Sequence, residues 1–137
     1  MSVQRLDHYN LVTTKKDETL DFYLNVMGFG DGSERRKASG AVPPGIWFLV
    51  GAEQHPAVHC NFVEAQDDKN GESIVQEPSE VINHMAFAAT DLKGFEERLQ
   101  RLNVKFDKAV RSNGVVQLYV RDPNNIKIEI QFESADS

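Results

Sequence analysis

Polar and apolar residues alternate through residues 5–13, with Leu6, His8, Asn10 and Val12 on one side and Asp7, Tyr9 and Leu11 on the other. That period of two is the signature of a β-strand. Residues 16–27 change period: Leu20, Tyr23, Leu24 and Met27 fall at i, i+3, i+4 and i+7, an apolar stripe that predicts a helix lying on a sheet, with Gly28 as its C-cap. Residues 29–38 predict a short strand running into a polar loop, and the Pro43-Pro44 pair within residues 39–45 breaks regular structure. Residues 46–51 are rich in aromatic and β-branched side chains and end in Gly51, which predicts a second clear strand. After a turn at residues 53–56, residues 57–64 alternate Ala57, His59, Asn61 and Val63 against Val58, Cys60 and Phe62.

The pattern then starts again. Beyond a polar stretch at residues 65–80, Ile82-Asn83-His84 opens a strand much as Leu6-Asp7-His8 does, and a helical pattern over residues 92–102, closed by Asn103, takes the place of the first helix. His8 and His84 are 76 residues apart. Strands are predicted at residues 105–111, 114–121 and 126–132, with Asn113-Gly114 as a hairpin signal and residues 121–125 as a second tight turn. The chain therefore reads as two tandem βαβββ units, at about residues 4–64 and 81–133, joined by a linker at about 65–80 and forming one domain of residues 1–137. A chain of this length supports one shared core, so the fold class expected is α+β.

The last strand carries the first chemical clue. Ile126, Ile128, Ile130 and Phe132 form an aliphatic and aromatic ridge on one face, while Lys127, Glu129 and Gln131 occupy the other. A carboxylate in mid-strand is costly to bury unless it is paired or binds a cation. Overlaying the repeats matches His8 with His84, His59 with Glu129 and Asn61 with Gln131. A lone strand histidine is ordinarily structural; three of the four histidines at repeat-equivalent positions, together with the mid-strand Glu129, point to a shared polar site. His55, beside Pro56, reads as an exposed turn residue, and Cys60 as a small buried one on the opposite parity. Trp47 and Phe48 read as core, with one of the two obliged to face the polar side. Parity also offers Arg35, Gln117 and Tyr119 as pocket lining.

Charge and composition narrow the function. The net charge of −6 and a pI near 5.2 argue against an extended nucleic-acid surface, the short run Arg35-Arg36-Lys37 notwithstanding. There is neither an apolar run approaching the roughly 18 residues of a membrane span nor the apolar core of a signal peptide, so no membrane partner is expected. A single cysteine excludes an intramolecular disulfide and fits a reducing compartment, so a cytoplasmic location is expected.

Leu6-Asp7-His8, Asp21-Phe22-Tyr23 before Met27-Gly28-Phe29, Ile82-Asn83-His84, and the run from Tyr119 through Arg121-Asp122-Pro123-Asn124-Asn125 to Glu129 together resemble the vicinal oxygen chelate superfamily. That superfamily includes glyoxalase I, extradiol dioxygenases, methylmalonyl-CoA epimerase and the fosfomycin and bleomycin resistance proteins. The resemblance covers residues 6–132, with Asn124-Asn125 where the family usually has Asp-Gly. It implies paired βαβββ repeats forming a curled eight-stranded mixed sheet around a metal cavity, with His8, His59, His84 and Glu129 as ligands. Imidazole donors suit Zn, Ni, Fe or Mn better than Mg or Ca. It further implies a small-molecule substrate gripped through adjacent oxygens, with Glu129 as catalytic base and Asn61, Gln131 and Tyr119 as substrate contacts, in a homodimer. Glyoxalase-like isomerase or lyase chemistry is favoured. His59 stands where glyoxalase I commonly has Glu, which leaves Glu129 as the one carboxylate base. The alternatives are an Fe(II)-dependent extradiol-type dioxygenase built on His8, His84 and Glu129, and a non-catalytic drug- or metabolite-binding protein.

Overall fold

The computed structural model describes residues 1–33, 45–62 and 82–137. The chain divides into two compact units, Met1–Gln76 and Glu77–Ser137. The expected Pro43-Pro44 loop, the run Arg35-Arg36-Lys37 with candidate Arg35, and the linker at 65–80 lie outside the described residues.

In the first unit, β1 (Tyr9–Thr13) leads to α1 (Lys16–Asp21), whose helical path continues through a π-helical turn at Phe22–Val26. β2 (Gly30–Asp31), β3 (Gly45–Val50) and β4 (His55–Phe62) follow. The second unit repeats the order: β5 (Met85–Ala88), α2 (Leu92–Arg101), β6 (Asp107–Val110), β7 (Val116–Arg121) and β8 (Lys127–Phe132). Each unit builds a four-stranded mixed sheet, ordered β1-β4-β3-β2 and β5-β8-β7-β6, so the eight strands are shared equally between two sheets of the same topology. The architecture is α+β with tandem βαβββ repeats.

The pairing registers are equivalent as well. β1 runs parallel to β4 with Asn10 opposite His59; β5 runs parallel to β8 with Ala86 opposite Glu129. His8 and His84 each lie two residues before that pair. Since a one-residue slip would turn every side chain of a strand to the other face, this agreement makes the sequence overlay a structural one.

Each core forms where the strand alternation meets a helix. In the second unit Val116, Leu118, Val120, Ile128, Ile130 and Phe132 are buried, and Phe95 of α2 meets Phe132 edge-on with ring centroids 6.0 Å apart. In the first, Phe48 stacks on Tyr23 at 5.0 Å, with Ile46, Val58 and Cys60 buried beside them. Side chains of this size contribute about 1.5–3 kcal/mol each on burial, enough to fix which sheet face lies under the helix.

Local chemistry accounts for the boundaries. Gly28 (φ 72°) and Asn103 (φ 55°) adopt the left-handed conformation that ends a helix, as expected for both caps. The buried stripe of the first helix differs from the predicted one. Thr19, Phe22, Tyr23, Val26 and Met27 are buried, whereas Leu20 and Leu24 are only half-buried. A π-turn takes in an extra residue and so rotates the following side chains away from the regular i, i+4 rows. β4 also begins earlier than its alternation suggested, taking in His55 and Pro56.

Candidate functional site

The sheet face away from the helix carries the polar chemistry in each unit. Glu129 lies in the middle of β8, facing Tyr119 on β7 and Ala86 on β5 across the ladder. It is 5% exposed. Burying a carboxylate requires compensation, and two groups supply it. Gln117 Nε2 donates to Oε1 at 2.7 Å, and His84 Nε2 stands 3.1 Å from Oε2.

The tautomer of His84 follows from its other nitrogen. Nδ1 lies 2.9 Å from Asn83 Oδ1, an oxygen that can only accept, so Nδ1 carries a proton. In a neutral imidazole Nε2 then presents a lone pair to the lone pairs of Glu129 Oε2. That contact is made favourable by a proton between the two atoms, carried by the ring or by the carboxyl, or by a metal ion shared between them. A metal with bonds of about 2.1 Å to two ligands at right angles would hold them about 3.0 Å apart. The His84–Glu129 separation therefore fits a pair of adjacent metal ligands.

The first unit shows the same device. His8 Nδ1 donates to Asp7 Oδ2 at 2.7 Å, so again the preceding residue supplies the acceptor and Nε2 is the nitrogen left to ligate. This hydrogen bond, with smaller contributions from the charges of His55, His8 and Arg5, holds the Asp7 carboxyl below the usual carboxylate range. His59 lies opposite Trp47 on the ladder, and their rings stack at 4.3 Å and 6°. His8 meets the same indole edge-on at 4.8 Å. Trp47 is thus the aromatic residue turned to the polar side, and Phe48 the one in the core. Asn61 shares the His59 face of β4, two residues further on.

His55 departs from expectation. It opens β4, and Nε2 lies 2.7 Å from the backbone carbonyl oxygen of Asp7, so it ties the strand to the segment bearing His8. Among the described residues, no three His, Cys, Asp or Glu side chains gather closely enough to hold an ion. The units supply their candidate ligands separately, His8 and His59 from one and His84 and Glu129 from the other.

Two residues of the second unit were underrated or missed. Gln117, offered by parity alone, contacts Glu129, Gln131 and Tyr119. Arg111 ends the strand predicted at residues 105–111 and was given no role at the site. Its Nε donates to Gln117 Oε1 at 2.6 Å and its Nη2 to the Tyr119 hydroxyl at 3.3 Å. Alternation along β6 through Asp107 and Ala109 would have assigned Arg111 to this face.

The model of the Glyoxalase/Bleomycin resistance protein/Dioxygenase superfamily matches residues 5–130. The chain belongs to this superfamily. Solved structures carry the same fold at low identity. A glyoxalase family protein from Bacillus anthracis is 20% identical with a TM-score of 0.68, over 96% of this chain and 97% of that one. Lactoylglutathione lyase from Agrobacterium tumefaciens is 17% identical with a TM-score of 0.64, over 96% of both chains. A fosfomycin resistance protein from Listeria monocytogenes is 18% identical with a TM-score of 0.62, over 98% of both. No protein of curated function matches the sequence. Superfamily membership accounts for the repeated topology and leaves the reaction to the residues of this chain. No helix among the described residues is long and apolar enough to cross a membrane.

Proposed function

We propose that this superfamily member is a divalent-metal-dependent enzyme, with His84 and Glu129 of the second unit and His8 and His59 of the first as its ligands. The observation that carries the reading is the approach of His84 Nε2 to Glu129 Oε2 at 3.1 Å with the other ring nitrogen already committed to Asn83. Three imidazoles and a carboxylate suit Zn²⁺, Ni²⁺, Fe²⁺ or Mn²⁺. When bound, such an ion polarises a substrate carbonyl.

The residues themselves divide the remaining work. Asp7 and Asn83 orient the imidazoles of His8 and His84. Glu129 takes a proton from a substrate carbon next to a carbonyl and returns it to the neighbouring carbon, a net isomerisation of a compound with two adjacent oxygens. Tyr119, Gln131 and Asn61 contact the substrate's polar groups. This is glyoxalase-type chemistry, and the chain acts as a homodimer.

The test begins with elemental analysis of protein purified without added metal or chelator, followed by titration of the stripped protein with each ion while thermal stability is recorded. About one ion per chain is expected, together with isomerisation of 2-oxoaldehyde hemithioacetals by the Ni²⁺ or Zn²⁺ form. Oxygen uptake with catechols by an Fe²⁺ form would replace this reading with the dioxygenase one. If no ion binds or stabilises the protein, the metal-dependent reading falls and small-molecule binding without chemistry takes its place.

A further inference from the structure

We infer that Gln117 is the residue that positions the Glu129 carboxylate, itself locked in one amide orientation by Arg111 and Tyr119. Its functional consequence rests on the proposed role of Glu129 as a ligand; the hydrogen-bond circuit stands apart from that role.

The Gln117 amide uses its whole hydrogen-bonding capacity. Its oxygen accepts from Arg111 Nε at 2.6 Å and from the Tyr119 hydroxyl at 2.9 Å. Its nitrogen donates to Glu129 Oε1 at 2.7 Å and to Gln131 Oε1 at 3.3 Å. A side-chain amide has two acceptor sites and two donor hydrogens, so none is left over.

The flipped amide is excluded by the same contacts. It would turn the NH₂ group onto the Arg111 N–H and bring the amide oxygen against the Glu129 carboxylate, replacing attractive contacts by repulsive ones. Arg111 cannot change roles, because a guanidinium only donates. Tyr119 is held too: Arg111 Nη2 donates to its hydroxyl at 3.3 Å, which directs the hydroxyl proton to Gln117, and Lys127 Nζ lies 4.8 Å from the ring centroid.

The direction of the circuit decides its effect on Glu129. Donors run from Arg111 through Tyr119 and Gln117 to Oε1, leaving Oε2 as the oxygen turned to His84. Cross-strand placement makes this possible. Gln117 pairs with Gln131 and Tyr119 with Glu129 on the β7–β8 ladder, so the amide sits diagonally from the carboxylate it holds. Among the described residues no carboxylate lies within ion-pairing distance of Arg111, so the guanidinium stays committed to the amide and the phenol.

The experiment has one arm with metal and one without, both on the full chain. In the metal-free protein, the Gln117 side-chain NH₂ resonances, assigned by their loss in Gln117→Met, should exchange with solvent at least about tenfold more slowly than those of exposed Gln100. They should lose that protection in Glu129→Ala. Exchange at the Gln100 rate in the wild type would overturn the circuit. In the second arm, Gln117→Met, shown by its own thermal melt to be folded at the assay temperature, should weaken binding of the ion the wild type takes by about tenfold or more. Arg111→Met, at an exposed position where folding is not at stake, should weaken it in the same direction. Wild-type affinity in both variants would overturn the positioning role. A wild type that binds no ion would remove the proposed function, and the exchange arm would still decide the circuit.

Discussion

His84 Nε2 meets Glu129 Oε2 at 3.1 Å because β5 and β8, far apart in sequence, lie side by side and parallel with Ala86 opposite Glu129. The register brings an imidazole and a buried carboxylate together, and Asn83 removes the ring's other nitrogen from the contest. Substitution should separate these two residues from the fourth histidine. Glu129→Gln and His84→Ala should each weaken metal retention by about tenfold or more, measured by competition with a chelator, whereas His55→Ala should leave it unchanged. Equal losses in all three variants would sink the ligand assignment.

Trp47 is the only tryptophan of the chain, and it stacks on His59 at 4.3 Å. An ion taken up by that imidazole should change the indole emission directly. Titrating the stripped protein with Ni²⁺ should quench Trp47 fluorescence along a saturating curve. In His59→Ala the quench should disappear or require about tenfold more ion or beyond. A wild-type curve in that variant would remove His59 from the ligand set.

Asn125 tests the turn that aims β8. It has φ 64°, and the Asp122 carboxylate accepts from the backbone N–H groups of Asn124 and Ile126 on either side of it. A left-handed backbone costs an ordinary L-residue about 1–2 kcal/mol, Asn less, and Gly little. Asn125→Ala should therefore lower stability by about 1 kcal/mol, a fall in Tm of roughly 3–5 °C, while Asn125→Gly holds or raises it. The reverse order in thermal melts would contradict this account of the turn.

Cys60 is fully buried on the core face of β4, opposite Leu11 of β1 and Ile46 of β3. A thiol with no access to solvent reacts only when the structure opens. A thiol-specific reagent should label about one group per chain in denaturant and essentially none in native protein over the same time. Rapid labelling of native protein would show that this core face is open.

Alternation separated the polar from the apolar side of β4 and β8, because a period of two is a property of the backbone and needs no partner. It assigned His59 and Asn61 to one face of β4 and Cys60 to the other, and separated Glu129 and Gln131 from the Ile128–Ile130–Phe132 ridge. The repeat was legible for a related reason: the same elements recur in the same order, and the pairing registers of β1 with β4 and β5 with β8 reproduce the sequence overlay.

The first helix shows where such reading stops. Its stripe was drawn for regular helical spacing, and the π-turn at Phe22–Val26 moved burial onto Phe22, Tyr23 and Val26. His55 was misread because Pro56 suggested a turn, whereas a bond to the Asp7 carbonyl holds it at the start of β4.

By itself, then, the sequence determined the two βαβββ units, the apolar ridge of β8, and the sides of β4 and β8 that carry His59 and Glu129; His8 and His84, expected on the first strands, lie just before β1 and β5. Only the tertiary structure decided which of those polar atoms meet: His84 with Glu129, Trp47 with His59, and Gln117 between Arg111, Tyr119 and Glu129. The physical reason is that facing is set residue by residue along one strand, whereas contact depends on the register and rotamers of strands distant in the chain, which local patterning does not encode.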